Sequence, residues 1–254
     1  MQAHIWQSLA KRLLQFVLWT SVAGVLWHGI VSGLGVPAYI VPLPRAVAGA
    51  FVSGWQVVAS HAAFTLSAAV QGLAASTLFA SLIAVAFSLN RNLEQAAMPI
   101  TVVFRSTPVA AVAPIMTLFL GRGLGTSIAV VIIISFFPIL VNLMRGIAAA
   151  DPNAAELLHV YGASKLQQMR LVRIPFALPY LFTGLRVAGT SALLAAMLSE
   201  WITGSPGLGK LILESGEMRE TELLWGTVLM SVFIALCIFW ITSAAEAFFL
   251  RWKK

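Results

Sequence analysis

The chain has 254 residues, of which 59% are hydrophobic and 10% are charged, whereas soluble domains carry roughly 25% charged residues. A soluble fold of this length could not bury so much apolar surface, and the composition therefore indicates a membrane protein. The net charge of +7 does not indicate nucleic-acid binding, because the basic residues lie mainly in the short polar segments between apolar runs. The single cysteine, Cys237, excludes an internal disulfide and a cysteine-based metal cluster.

Six apolar runs follow one another along the chain, and each is long enough to cross a bilayer as a helix. They lie at about 13–35, 64–88, 97–120, 126–144, 179–202 and 223–249. Residues 36–48 contain three prolines and predict a connection, which is followed by a helical stretch at 49–62. The third run contains three further prolines, including Pro108, so we expect it to be kinked and to lie inside the bundle. The predicted fold is an all-α bundle of six transmembrane helices in one domain, 1–254.

The distribution of basic residues predicts the orientation of this bundle. Cytoplasmic segments of membrane proteins carry more Lys and Arg than short outer segments do. If both termini lie in the cytoplasm, ten of the 16 basic residues fall in inner segments, four in outer segments and two within spans. This bias agrees with an even number of spans, and it places residues 145–178 in the cytoplasm.

The polar interval 151–179, between the fourth and fifth predicted spans, has an internal architecture. Asp151 is a suitable cap for a helix that begins at Pro152, since proline is favoured at the first helical position. Residues 153–161 are mostly good helix formers. Gly162 then stands where a helix commonly ends in a left-handed residue.

A second short helix is predicted after this glycine. Ser164 is a suitable cap for it, and we expect it to end near Arg173 because Pro175 and Pro179 follow. A loop that serves only as a tether needs no such architecture. A loop that presents a fixed surface to another protein does, so this interval is the main candidate for a functional segment.

The same interval resembles the cytoplasmic EAA loop of the inner-membrane subunits of bacterial ABC importers. Glu156 opens the pattern and Gly162-Ala163 follow at the family spacing; Ile174-Pro175 and Leu178-Pro179 complete it. Leu157-Leu158 stand where the family has two alanines. Leucine keeps the helical propensity and adds apolar contact area, so this departure changes the fit to a partner surface.

Other segments occur in the order seen in permeases of the nitrate, sulfonate and taurine group and in related permeases for pyrimidine precursors. They are PLPRAV at 42–47, RSTPVAAVAP at 105–114 and EWITGSPGLGKLI at 200–212. The resemblance covers about residues 40–250 and departs from the relatives at Ala68, where many have arginine. It implies a type I importer permease fold with a coupling helix between the fourth and fifth membrane helices.

The resemblance also implies partners and a location. It implies a transport subunit of the bacterial inner membrane, with separate ABC ATPase subunits that bind ATP and Mg, so that this chain holds no cofactor and has no catalytic residue. It implies a periplasmic or lipid-anchored solute-binding protein, and a homodimer, because one six-helix bundle encloses half of such a pathway. The implied substrate is a small anion or small organic solute of the nitrate, sulfonate, taurine or pyrimidine-precursor class. The residues expected to couple to the ATPase are Asp151, Glu156, Leu157, Leu158, Gly162, Ala163 and Pro175.

Ionisable residues inside predicted spans are costly in lipid and normally face a cavity or a partner. Arg186 is close enough to the cytoplasmic end to reach the surface, and Glu200 is close enough to the outer end to reach water. Arg105 lies deeper and either pairs with helix carbonyls beside Pro108 or lines a path for an anionic solute. The hypothesis for the translocation path comprises Arg105, Ser106, Thr107 and Glu200.

Residues 204–210 read Gly-Ser-Pro-Gly-Leu-Gly-Lys, which superficially matches a phosphate-binding loop. The position after the lysine is Leu211 rather than Ser or Thr, and a spanning helix precedes the segment, so we interpret it as a turn into an outer helix. The main alternative function is a self-sufficient secondary transporter, which would need a titratable mid-membrane group and usually an inverted repeat. A membrane enzyme would need clustered His, Asp or Glu, whereas the four histidines are scattered, and no metal site is predicted.

Overall fold

The structure, a computed structural model, describes residues 2–106 and 108–250, and the side chains of 18–99, 102–103 and 108–250. All the regular elements in these ranges are helices. In chain order they are α1 Gln2–Gly33, α2 Pro44–Ser53, α3 Trp55–Leu89, α4 Arg91–Ser106, α5 Val109–Leu120, α6 Leu124–Ala148, α7 Pro152–Val160, α8 Lys165–Gln168, the π-helical segment Met169–Arg173, α9 Ile174–Thr203, α10 Leu208–Glu217 and α11 Thr221–Phe249.

Four helices in the described ranges are long and apolar enough to cross a membrane. They are Trp55–Leu89, Leu124–Ala148, the continuous run Lys165–Thr203, and Thr221–Phe249. These four coincide with the second, fourth, fifth and sixth predicted spans. Helix α1 covers the first predicted span, and α4 with α5 covers the third. The prediction of an all-helical membrane bundle is therefore confirmed.

The centre of the bundle is formed by α6 and α9, with α3 packed over them. Small residues allow the two central helices to approach closely. A Cβ added to Gly146 would lie 2.8 Å from the Cα of Ala177, and one added to Gly184 would lie 3.2 Å from the Cα of Ile139. Close van der Waals packing of this kind is a main force that holds membrane helices together, because lipid removes the hydrophobic drive between them.

Two predicted helical stretches are interrupted in the structure. The stretch predicted at 49–62 is divided at Gly54, where an added Cβ would lie 3.2 Å from Cδ1 of Leu223, so the bend allows α11 to pack closely. The third predicted span is divided between α4 and α5. Pro108 lies there with an extended backbone (φ −63°, ψ 129°). The sequence predicted a kink in this span, and the structure has two separate helices instead.

Helix α10 folds back against the end of α9 and also packs on α3 and α11. Gly204 ends α9 with a left-handed backbone (φ 68°), and α10 begins at Leu208. The interpretation of residues 204–210 as a turn that leads into a helix is confirmed. We call residues 204–217 the re-entrant hairpin.

Candidate functional site

The first helix of the polar interval, α7, projects from the bundle. The carboxylate of Asp151 accepts a hydrogen bond from the backbone N–H of Asn153 at 2.9 Å, which confirms the predicted cap. No residue of α7 is buried. Its apolar side chains are instead open, with Leu157 57% and Val160 78% exposed, and the adjoining Tyr161 is 81% exposed. An apolar surface this exposed on a polar loop is typical of an interaction site.

Gly162 ends α7 as predicted. Its φ of 78° is left-handed, and its N–H donates to the carbonyl of His159 at 2.9 Å. The N–H of Ala163 donates to the carbonyl of Leu158, also at 2.9 Å. These two bonds form the Schellman motif, in which the final carbonyls of a helix are satisfied by the residues that turn away from it. The direction in which the chain leaves α7 is therefore set by hydrogen bonds.

The next step of the chain is equally well defined. Ser164 caps α8 by accepting from the N–H of Gln167, whose side chain accepts in return from the N–H of Ser164 at 2.7 Å. Met169 follows, and its side chain is only 1% exposed. It belongs to a core cluster with Leu143 and Ile147 of α6. The loop is thus anchored in the bundle one turn after α8 begins.

The prediction that Pro175 and Pro179 end the second short helix is wrong. The helix runs on from α8 through a π-helical segment into α9. Pro175 has no N–H to donate to the carbonyl of Leu171, so the α-helical hydrogen-bond pattern changes there. The chain stays helical, because the N–H of Ile174 donates to the carbonyl of Met169 in a π-helical bond. Pro175 lies at the start of α9 and Pro179 inside it, so the carbonyl one turn before each proline receives no bond from that proline.

The predicted coupling residues fall into two groups. Those from 151 to 163 form one projecting unit, which we call the α7 unit; Glu156 and Leu157 are exposed, and Leu158 and Ala163 are half-buried. A groove of about 460 Å³ separates α7 from α8 and is lined by Glu156, among others. Pro175 is half-buried at the start of α9, beyond the π-helical segment. The sequence did not predict the exposed Tyr161 or the buried Met169. The neighbouring residues do not indicate whether a single apolar side chain is exposed or buried.

The structure describes only some of the residues predicted to line the translocation path. Arg105 and Ser106 end α4, but their side chains, and Thr107 altogether, lie outside the described residues. Glu200 is described, and its side chain is 0% exposed. The interpretation in which Glu200 reaches water at the outer end is therefore wrong.

Glu200 instead joins α3, α9 and α10. Its Oε2 accepts from the hydroxyl of Thr65 and from the N–H of Gly209, each at 3.0 Å. The Thr65 hydroxyl also accepts from the N–H of Leu208 at 2.8 Å. Nδ1 of His61 lies 2.7 Å from the carbonyl oxygen of Gly207. Buried polar groups need such partners, so this cluster fixes the re-entrant hairpin against the membrane helices.

The glycines of the hairpin have a packing role. A Cβ on Gly209 would overlap the carbonyl of Met197, and a Cβ on Gly207 would overlap the carboxylate of Glu200. Gly207 also has a φ of 139°, which side chains disfavour. The resemblance to a phosphate-binding loop thus reflects the close approach of two backbones. Among the residues that the structure describes, His, Cys, Asp and Glu form no group of three that could hold a metal.

Arg186 is paired with an acidic residue of the last membrane helix. Its guanidinium forms a salt bridge with Glu246 of α11 and lies 5.7 Å from the ring centroid of Phe239. The expected reach of Arg186 to the cytoplasmic surface stays a prediction, because the paired side chains of Arg186 and Glu246 remain 34% and 25% exposed. Glu246 lies within the last predicted span and was overlooked as a partner. The need for a counter-charge beside an arginine in lipid was the signal that could have found it.

Changing Arg186 to Gln should lower the free energy of unfolding by about 1–2 kcal/mol, the range for polar contacts between membrane helices. The reason is that Glu246 loses its charged partner. Thermal unfolding in mild detergent measures the change. The exchanged pair, Arg186→Glu with Glu246→Arg, should recover part of the loss. Equal stability of Arg186→Gln and the native chain would contradict a stabilising ion pair.

The fold and this loop define the class of the protein, a helical membrane subunit with an exposed helix at one end. The family model for binding-protein-dependent transport system inner membrane components matches residues 76–253. A riboflavin transport system permease protein of Chloroflexus aurantiacus is 33% identical over 90% of this chain and 86% of its own length. A formylaminopyrimidine transport permease protein of Halalkalibacterium halodurans is 27% identical over 91% of this chain and 92% of its own length.

Solved structures share the fold. An inward-facing structure of the MetNI methionine ABC transporter superposes with a TM-score of 0.67, at 17% identity, over 76% of this chain and 96% of that one. The chain belongs to the family of binding-protein-dependent transport system inner membrane components. It is a permease subunit of an inner-membrane ABC importer for a small solute, and the family implies ATPase and binding-protein partners.

Proposed function

We propose that the α7 unit, residues 151–163, is the surface on which a separate ATPase subunit docks, and that it transmits the movement of the ATPase to the membrane helices. One observation carries this proposal. Helix α7 has no buried residue, yet hydrogen bonds on both sides of Gly162 fix the turn that leads to Met169, which is 1% exposed in the core. An element that transmits movement needs one end that is free to contact the partner and one end that is fixed in the bundle, and this loop has both.

The anchored end determines which helices respond. Met169 packs with Leu143 and Ile147 near the end of α6, and the π-helical segment continues directly into α9. Displacement of α7 would therefore move α6 and α9 together. Alternating access then follows as a population shift, since nucleotide binding to the ATPase favours one arrangement of the bundle and hydrolysis restores the other. ATP and Mg belong to the ATPase in this proposal.

The permease acts as a homodimer in our proposal. Helix α9 lies at the centre of the bundle, yet it keeps an exposed stripe along its length, formed by Phe176, Tyr180, Thr183, Val187 and Leu194. The spacing of three, four and seven residues keeps these side chains on one face. A second copy that faced this stripe would enclose a path between two α9 helices.

We also propose six membrane crossings with both termini in the cytoplasm. Helix α1, with 32 residues, is long enough to cross. Helices α4 and α5 together supply a further crossing that is broken at Pro108. With this count the α7 unit lies on the same side as both termini, where an ATPase would be. The excess of basic residues in the inner segments supports this orientation.

The substrate class in this proposal is a small anion or small organic solute. Relatives are named as permeases for riboflavin, formylaminopyrimidine and taurine, which share small size rather than one charge. The binding protein would carry much of the selectivity. Arg105, Ser106 and Thr107 stay the proposed path residues because they adjoin the break before α5. Glu200 supports the re-entrant hairpin beside the path.

Changing Arg105 to Gln should reduce solute uptake about tenfold or more if an anionic group passes this residue, because the favourable charge is lost while the length of the side chain is similar. Uptake of labelled solute in vesicles measures it, and an insertion assay controls for folding. Arg122→Gln, in the loop between α5 and α6, should leave uptake unchanged. Normal uptake by a correctly inserted Arg105→Gln variant would remove Arg105 from the path.

Changing Leu157 to Glu should weaken ATPase docking about tenfold or more, because a charge would be buried in an apolar interface. The amount of ATPase that copurifies with the tagged permease measures this. Met218→Glu is the matched control, since Met218 is 70% exposed but lies after the re-entrant hairpin at the opposite end of α9. Unchanged copurification with Leu157→Glu would contradict docking on α7.

A further inference from the structure

Two adjoining clefts lie at the end of the bundle that carries the α7 unit. The larger has a volume of about 610 Å³ and the smaller about 300 Å³. They share Ser88, Arg91 and Arg173 in their linings. The clefts are therefore bounded by the turn between α3 and α4 on one side and by the π-helical segment on the other.

The charge in these clefts is mainly positive. Arg91 and Arg173 line both clefts, and Lys165 lines the smaller one. Glu94 is the one acidic residue in the two linings. Among the described side chains, those of 18–99, 102–103 and 108–250, the ion pairs found are Arg186–Glu246 and Lys210–Glu214, so none of these three cations forms an ion pair there. Two unpaired arginines shared by both clefts, with Lys165 added in the smaller one, favour an anionic ligand.

The larger cleft has an apolar side as well as polar residues, which include Ser88 and Gln95. Phe87, Met98, Met144 and Ile147 line it together with the charged rim. The site also lies at a boundary of polarity, because the apolar helix α3 ends at Leu89 and Arg91 follows two residues later. A cationic rim beside an apolar wall, at the point where an apolar helix ends, matches a phosphate joined to acyl chains, and basic pockets between membrane helices bind such headgroups.

We propose that this cleft binds the phosphate group of an anionic phospholipid. Arg91 and Arg173 contact the phosphate from opposite sides, and the acyl chain lies along Met98 and Met144. Arginine suits this role because its planar fork donates two hydrogen bonds to phosphate oxygens. A lipid held in this position would connect the α3–α4 turn to the segment that anchors the loop. The proposal does not depend on ATPase docking.

The test uses the full-length permease in mild detergent and phosphatidylglycerol as the probe. Native mass spectrometry measures the dissociation constant for the first bound lipid. The double variant Arg91→Gln with Arg173→Gln should bind phosphatidylglycerol about thirtyfold more weakly, since each basic residue near an anionic headgroup contributes about 1 kcal/mol. Phosphatidylcholine should bind weakly to both proteins. Arg91→Lys with Arg173→Lys, which keeps both charges, should recover part of the affinity.

The chain offers a matched control. Arg145 of α6 and Arg170 of the π-helical segment are both exposed, and neither lines either of these two clefts. The variant Arg145→Gln with Arg170→Gln removes the same charge at similar depth and should bind the lipid as the native chain does. A melting curve for each variant confirms that the proteins are folded.

Three results would overturn the proposal. The first is equal loss of lipid in the cleft variant and the control variant, which would indicate general charge attraction. The second is displacement of the lipid by millimolar inorganic phosphate, which would assign the cleft to a free anion. The third is native lipid binding by the cleft variant together with loss of ATPase, which would assign these arginines to a protein contact.

Discussion

Replacing Gly162 with proline should abolish coupling to the ATPase while the membrane bundle stays folded. The φ of 78° at Gly162 is outside the range open to proline, and its N–H, which donates to His159 at 2.9 Å, would be lost. A cost of about 3 kcal/mol or more at this turn corresponds to docking that is at least about a hundredfold weaker. Copurification of the ATPase and ATP-dependent uptake measure the effect.

Graded variants at the same position separate the backbone from the side chain. A Cβ at Gly162 would meet nothing within 4 Å, so alanine tests the left-handed backbone alone and should cost about 1–2 kcal/mol. Asparagine adopts this conformation more readily than alanine does and should keep most of the coupling. A proline variant that retains native ATPase binding and uptake would show that the turn is not part of the coupling element.

Replacing Gly209 with alanine should have the largest effect on stability, a loss of about 3–5 kcal/mol. The added Cβ overlaps the carbonyl of Met197, so α10 must move away from α9. This overpacking costs about 1–3 kcal/mol. The movement also breaks the hydrogen bond from the Gly209 N–H to Glu200, and a buried carboxylate that loses a donor costs about 1.5–3 kcal/mol more.

Thermal unfolding in detergent measures this loss, with the fraction of protein that stays monodisperse as the signal. Gly125→Ala is the control, because Gly125 lies in the first turn of α6 and an added Cβ meets nothing within 4 Å. It should melt as the native chain does. If Gly209→Ala melts at the native temperature, the re-entrant hairpin does not depend on this close approach.

Local signals in the sequence predicted the structure correctly wherever the conformation depends on neighbouring residues. Asp151, Gly162 and Ser164 each act within a few positions, through a cap or a left-handed turn, and all three are where the sequence predicted them. The apolar runs likewise predicted the long membrane helices, because each crossing satisfies its own backbone hydrogen bonds.

Features that depend on distant contacts could not be predicted in this way. Glu200 is buried because Thr65, 135 residues away, reaches it. Arg186 is held by Glu246, 60 residues away. The helix continues through Pro175, and Met169, at the start of the π-helical segment, packs against α6 in a contact that no local pattern at the proline reveals. In each case the contact joins distant parts of the chain.

Reconstitution of the purified permease into liposomes, with and without the ATPase that copurifies with it, separates an ATP-driven importer from a secondary transporter. We expect solute uptake only when the ATPase, ATP and the binding protein are all present, and no uptake when the permease carries Gly162→Pro. Uptake by the permease alone, driven by an ion gradient and indifferent to ATP, would establish a secondary transporter instead.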